Sequence, residues 1–204
     1  MPAQPVRRTP RTLPAAIAAG ALALLLGVSA CSDPEVQPPA DAPETNAPDE
    51  VTMPEGGAAL ALDTEGLRLV NRETGATRLI AFGSGDEEAI AAVAAAIGQP
   101  RERNANEECP AGPLSFAAYE GGLSLAFQNN SFVGWSVGQP GTGFATMSGV
   151  RVGSSQSELQ SAYSATIEQT TLGTEFRAGD LAGTLDGPDG RVTNIWSGVN
   201  CVFR

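Results

Sequence analysis

Most nucleophilic and metal-dependent chemistry in proteins uses histidine, cysteine, lysine or paired carboxylates. This chain has no histidine and no lysine, and all 12 of its basic residues are arginine. Ser-His and Cys-His nucleophile pairs, imidazole metal ligands, lysine Schiff bases and the phosphate-loop lysine are therefore excluded. What remains is three cysteines (Cys31, Cys109, Cys201), 23 acids, two tryptophans (Trp135, Trp196) and several short turns. Gly83-Ser84-Gly85 precedes a helical pattern, as a phosphate cradle would. Asp86, Glu87 and Glu88 follow at once, complement the helix dipole and repel an anion. Asp186 and Asp189 fall in a five-residue segment, too short for a calcium loop and suited to a hairpin turn. Asn129-Asn130-Ser131 also reads as a turn. The acids after residue 56 form many pairs with no context to separate an acid from a base, so a carboxylate-dependent hydrolase ranks third among the functional readings. No catalytic residue, metal ligand or cofactor is assigned.

The elements that would position these residues begin with a change of composition along the chain. Residues 1–30 carry Arg7, Arg8 and Arg11 and no acid. An apolar run from Ile17 to Val28 follows, the length of a signal-peptide core and too short to span a bilayer as a helix. It leads into Val28-Ser29-Ala30-Cys31. This sequence resembles the bacterial lipobox, in which a branched apolar residue and two small ones precede a cysteine. The resemblance implies a diacylglycerol on the Cys31 sulfur (a lipoprotein acyl anchor, palmitate-like in kind), cleavage before Cys31, and a chain held on the extracytoplasmic side of the cell membrane or outer membrane. Several acyl chains at about 0.8 kcal/mol per buried methylene make such an anchor effectively permanent. Thr9-Pro10 after Arg7-Arg8 departs from the twin-arginine export pattern and favours general secretion. Ser32 is compatible with onward sorting to an outer membrane.

Residues 31–56 read as the lipidated cysteine and a tether. Positions 32–56 hold six prolines, seven acids and no basic residue. Their few apolar side chains, Val36, Val51 and Met53, cannot offset the entropy of ordering. Like charges and proline extend such a segment at roughly 3 Å per residue. Loss of residues 1–30 leaves nine arginines against 23 acids, a net charge of about −14. A polyanion of this kind is repelled by nucleic acid, so no nucleic-acid partner is expected.

From residue 57 to 204 the composition is that of one small domain. Phe82-Gly83-Ser84-Gly85-Asp86-Glu87-Glu88-Ala89 aligns without gaps with Val152-Gly153-Ser154-Ser155-Gln156-Ser157-Glu158-Leu159. The register continues to Ile97 opposite Ile167. Each segment leads into a helix, with Ser84 or Ser155 as cap and Glu87 or Glu158 as its capping-box partner. Alternating strands follow in each half: 114–119, 123–127 and 132–137 in the first, then Glu175–Gly179, 181–185 and 191–196 in the second. A hairpin over 66–83 precedes the first helix. The expected fold is α+β, two tandem units (about 57–138 and 139–204), each a helix followed by a small antiparallel meander sheet. This arrangement resembles the β-lactamase-inhibitor-protein-like superfamily, whose members act by binding other proteins. Both copies have serine (Ser84, Ser154) where that family's turn has methionine, so the resemblance implies a fold and lends no binding residues.

Outside the cytoplasm, two cysteines left in one domain are expected to pair, so Cys109 and Cys201 form a candidate disulfide closing a loop of about 90 residues. Redox catalysis is the alternative use of the pair. Trp135 and Trp196 stand in corresponding places and serve either the core or an aromatic binding face. The leading expectation is a non-enzymatic protein-binding or scaffolding module whose partner is another envelope protein. The alternative is a carrier or sensor of a small ligand, with a cleft between the units lined by Trp135, Trp196 or Tyr163.

Overall fold

A computed structural model describes residues 57–202 of this chain. Residues 1–56 and 203–204 lie outside the described part, and with them the expected signal peptide, the expected lipidation site Cys31 and the expected tether.

The amino-terminal strands are short and alternate apolar with polar residues. β1 (Ala58–Asp63), β2 (Gly66–Asn71) and β3 (Thr77–Ala81) form a three-stranded antiparallel sheet in that order. Leu60, Leu62, Leu67, Leu69 and Ile80 are its buried residues. Gly66 allows the tight passage from β1 to β2: its φ is 148° and a Cβ there would lie 2.0 Å from the Ile80 carbonyl oxygen. Helix α1 (Asp86–Ile97) then buries Ala89, Ile90, Ala92 and Val93 against β1 and the large sheet.

The large sheet comprises β4 (Glu102–Asn106), β5 (Leu114–Ala118), β6 (Leu123–Gln128), β7 (Ser131–Val137), β8 (Thr166–Thr170), β9 (Gly173–Ala178), β10 (Leu181–Leu185) and β11 (Val192–Gly198). Its order is β4-β5-β6-β7-β11-β10-β9-β8, antiparallel throughout. The join is β7 against β11, with Ile195 opposite Val137 and Ser197 opposite Trp135. Helix α2 (Gln156–Ala162) precedes β8 and buries Leu159.

This architecture corrects the α+β expectation of two helix-plus-meander units. The described residues are 46% strand and 15% helix, arranged as an eight-stranded and a three-stranded sheet. Two causes are visible. The meanders do not end in separate sheets, because β7 and β11 hydrogen-bond to each other and merge them. Two further strands, β4 (ERNAN) and β8 (TIEQT), are mostly exposed and polar, so they carry no apolar alternation to read. Ile167 accordingly lies in β8 and not on a helix, since α2 stops at Ala162.

The core fills the space between one face of the large sheet and the layer made by α1 and the small sheet. Trp135, Phe127, Phe132, Phe176, Leu123, Leu125, Leu181 and Ile195 are fully buried there. Trp135 also ties the layers together, donating its indole N–H to the Asp63 carbonyl at 2.8 Å. Beside it the Ser197 hydroxyl donates to the carbonyl of Thr64 or Asp180, both at 3.0 Å.

Candidate binding face

Side chains alternate across a strand, so the register assigns every residue of the large sheet to one of two faces. Trp135 and Ser197 are paired and share the core face. Ser136 and Trp196 are paired and share the other, which carries no helix among the described residues. Continuing the rows, Ser124 lies opposite Ser136, Ala182 opposite Trp196, Arg177 opposite Ala182, and Asn194 opposite Thr184. Phe116 reaches the same face through Ala126 and Gly134. The two tryptophans are therefore not equivalent: a one-residue offset puts them on opposite sides of the sheet. Trp135 is fully buried and unavailable to any partner, whereas Trp196 is half-buried on the open face.

A segment following β11 modifies this face. Gly198 has a φ of 72° and turns the chain out of the sheet. The Val199 N–H still bonds to the Val133 carbonyl at 2.8 Å. The Val199 carbonyl then passes over Gly134, where a Cβ would sit 2.0 Å from its oxygen. The Asn200 side-chain amide donates to the Trp135 carbonyl at 3.3 Å and the Ser197 carbonyl at 3.1 Å. Cys201 ends the crossing in a disulfide with Cys109, Cα to Cα 5.0 Å, with the Asn106 amide 3.5 Å from its sulfur. The expected pair is thus formed, and it fastens residues 199–202 as a strap across the open face.

Between the strap and the ends of β9–β11 lies an open groove of about 620 Å³. Trp196, Phe116 and Leu172 supply its apolar surface, Ser136, Thr184 and Asn194 its polar groups, and Asn200, Cys201 and Val202 the strap side. Every described side chain lining it is uncharged. That neutrality is notable in a chain of 23 acids and 12 arginines. Trp196 also borders a second hollow, of about 380 Å³, with Arg177, Asp180 and Phe82. Tyr163 lies elsewhere, at a crevice of about 90 Å³ beside Leu62, Thr146 and Leu181. Trp135, Trp196 and Tyr163 are thus not brought to one place: Trp135 is in the core, Trp196 on the open face and Tyr163 beside the small sheet.

The turn motifs serve structure. Gly83 and Gly153 have φ of 93° and 91°. The Gly83 N–H bonds to the Phe132 carbonyl and the Phe132 N–H to the Ser84 carbonyl; Gly153, Val192 and Ser154 repeat this pattern. Ser155 forms the expected capping box with Glu158, whose carboxyl is held below its ordinary pKa by the backbone and side-chain hydrogen bonds of Ser155. Ser84 does not cap α1: Gly85 holds that position, and Glu87 pairs with Arg103 at 3.0 Å. Asp186 accepts the Arg191 N–H at 2.6 Å within its hairpin, and Asn129 and Asn130 turn β6 into β7 with φ of 52° and 60°.

Two other ionisable groups are perturbed. Burial pushes the Asp63 carboxyl up, but the Glu65 N–H, the Arg68 guanidinium and the Thr64 N–H outweigh it and hold the pKa below the ordinary value. Burial pushes Tyr119 up to about 12 against a smaller opposing effect of Arg103, and its buried hydroxyl has no hydrogen-bond partner among the described residues. Among the described residues no group of three or more Cys, Asp or Glu is placed to hold a metal ion, and no helix is long and apolar enough to cross a membrane. Comparison with family models, curated proteins and solved structures returns no match.

Proposed function

We propose that this chain is a lipid-anchored envelope lipoprotein, attached through Cys31, whose β domain is a non-enzymatic module that binds another envelope protein by the open face of its large sheet. The observation that carries the reading is the uncharged, aromatic-lined groove beside Trp196, set in a strongly acidic chain. Exposed aromatic surface flanked by hydroxyl and amide groups is the composition of protein-recognition sites, and the absence of like charge lets an apolar segment enter. The acidic remainder discourages self-association and contact with anionic surfaces.

Site-specific photo-crosslinking in intact cells tests this. Crosslinkers at Ser136 and Asn194, on the open face, are expected to trap the same envelope protein, and the adduct is lost with Trp196→Ala. A crosslinker at Ser157, on α2, is expected to trap nothing. Equal labelling from Ser157, or adducts that survive Trp196→Ala, refutes the assignment.

The groove's volume supports a second reading, a carrier of a small neutral ligand, because about 620 Å³ lies in the range of small-molecule sites. Native mass spectrometry of protein extracted from its own membrane distinguishes the two: a carrier shows a dissociable small mass, a protein-binding module does not.

A further inference from the structure

The strap is made of residues with little reason to lie where they do. Among the described residues Val199-Asn200-Cys201-Val202 has no strand partner beyond the Val199 N–H, and it crosses a face whose other residues alternate normally. Three features hold it. Gly134 lacks the Cβ that would collide with the Val199 carbonyl. Asn200 spends its side-chain amide on the carbonyls of Trp135 and Ser197. The bridge from Cys201 to Cys109 fixes the far end beside β4. Only the last of these is covalent, and only the last reaches the far end of the strap.

We propose that the Cys109–Cys201 bridge is the positioning element of the binding groove: it holds residues 199–202 across the open face as one wall of the groove, leaving the sheet itself to be held by its core. The location of the binding site rests on the function proposed above; the role of the bridge in building the wall does not. The hydrophobic core lies on the opposite face and includes neither Cys201 nor Val202. Reduction by a dithiol transfers two electrons and two protons to the bridge, giving two thiols here and a disulfide in the reductant. The turn at Gly198 then acts as the hinge, and the wall swings off the face while β7 and β11 stay paired.

The test uses the full chain in detergent micelles, with and without dithiothreitol, and thiol titration to verify reduction. Trp196 faces the groove and Trp135 is buried, so acrylamide quenching reports the wall, with Trp196→Phe supplying the Trp135 background. Reduction is expected to raise quenching of Trp196 two- to threefold. It is also expected to speed exchange of the Val199 amide at least tenfold through local opening, while the Leu125 and Ile195 amides, which exchange on global unfolding, keep their native chemical shifts. Gly134→Ala, which leaves the bridge intact but drives a Cβ into the strap, is expected to raise Trp196 quenching in the same way. Unchanged Trp196 quenching after verified reduction overturns the proposal. So does loss of the native Leu125 and Ile195 amide signals on reduction, which makes the bridge a support of the whole fold. Crosslinking from Ser136 in cells expressing Cys109→Ser/Cys201→Ser then separates the two ideas. A tenfold loss of adduct supports both, whereas an unchanged adduct beside a displaced wall retains the bridge's role and removes the groove as the binding site.

Discussion

Replacing Trp135 by phenylalanine is expected to weaken the union of the two sheets more than any other single aromatic exchange. The indole is fully buried, and its N–H donates to the Asp63 carbonyl in the β1–β2 corner at 2.8 Å. Phenylalanine removes the donor and leaves that carbonyl facing an apolar surface, a cost of about 1 to 3 kcal/mol. It also removes one ring of a close-packed side chain. A residual void of roughly 40 Å³ at about 24 cal/mol per Å³ adds about 1 kcal/mol. The sum is about 2 to 4 kcal/mol, a large fraction of the stability of a domain this size. Urea unfolding followed by far-ultraviolet circular dichroism measures it without relying on the mutated fluorophore. Trp196→Phe, on the open face, is the control and is expected to cost less than about 1 kcal/mol. Hydrogen exchange adds a spatial check: in Trp135→Phe the amides of β1 and β2 lose protection before those of β9 and β10. Equal destabilisation by the two exchanges, or less than about 1 kcal/mol for Trp135→Phe, refutes the claim that this indole joins the layers.

Tyr119→Phe removes a buried hydroxyl with no partner among the described residues and is expected to be neutral or stabilising by up to about 1 kcal/mol in the same urea assay. Because burial raises the Tyr119 pKa to about 12, the neutral form is favoured in the fold; wild type should lose on the order of 2 kcal/mol as pH rises from about 10 to about 12, and Tyr119→Phe should lose less. Asp63 has a lowered pKa, so its contribution is present above the ordinary value of 3.8 and lost as pH falls through the lower folded value. Asp63→Asn should flatten the acid limb of a stability–pH curve and cost about 1.5 to 3 kcal/mol at pH 7 through the Arg68 hydrogen bond. Ser155→Ala removes the capping box of α2 and should cost about 1 kcal/mol, whereas Ser84→Ala, which removes no cap, should cost less than half of that by thermal melts.

Local chemistry was legible in the sequence, and long-range geometry was not. The capping box at Ser155, the turns at Asn129-Asn130 and Asp186–Gly190, and the strands over 114–137 and 175–196 all follow from neighbouring residues. The merger of the strands into one sheet depends on β7 meeting β11, residues some 60 positions apart, and nothing in FVGWSV or VTNIWSG names that partner. The faces of the two tryptophans show the same limit. Each lies in an alternating strand, yet a shift of one residue in the β7–β11 register decides which is core and which is open. β4 and β8 were missed because edge strands are paired on one side only and stay polar, the feature that also discourages edge-to-edge aggregation. The groove was missed for a further reason. Phe116, Leu172 and Asn194 come from separate strands and connections, and Gly134, which admits the strap, reads in sequence only as a weak spot in a strand.

The cysteine pair shows how one observation bears on both stability and function. A bridge between residues 92 positions apart removes much loop entropy from the unfolded chain, up to about 4 to 5 kcal/mol. That contribution is indifferent to where the bridge lies, since it depends on the length of chain enclosed. A bridge joining two core strands would serve stability equally well. Here it joins the buried Cys109, in the connection after β4, to a segment that has already left the sheet, and so fixes that segment over the open face. Glu107 and Glu108 immediately precede Cys109, and carboxylates beside a sulfur repel the thiolate that disulfide exchange requires. The placement therefore favours a lasting brace over a redox switch. A brace is what a preformed binding groove requires, because a wall ordered before the partner arrives does not have to be ordered at the expense of binding.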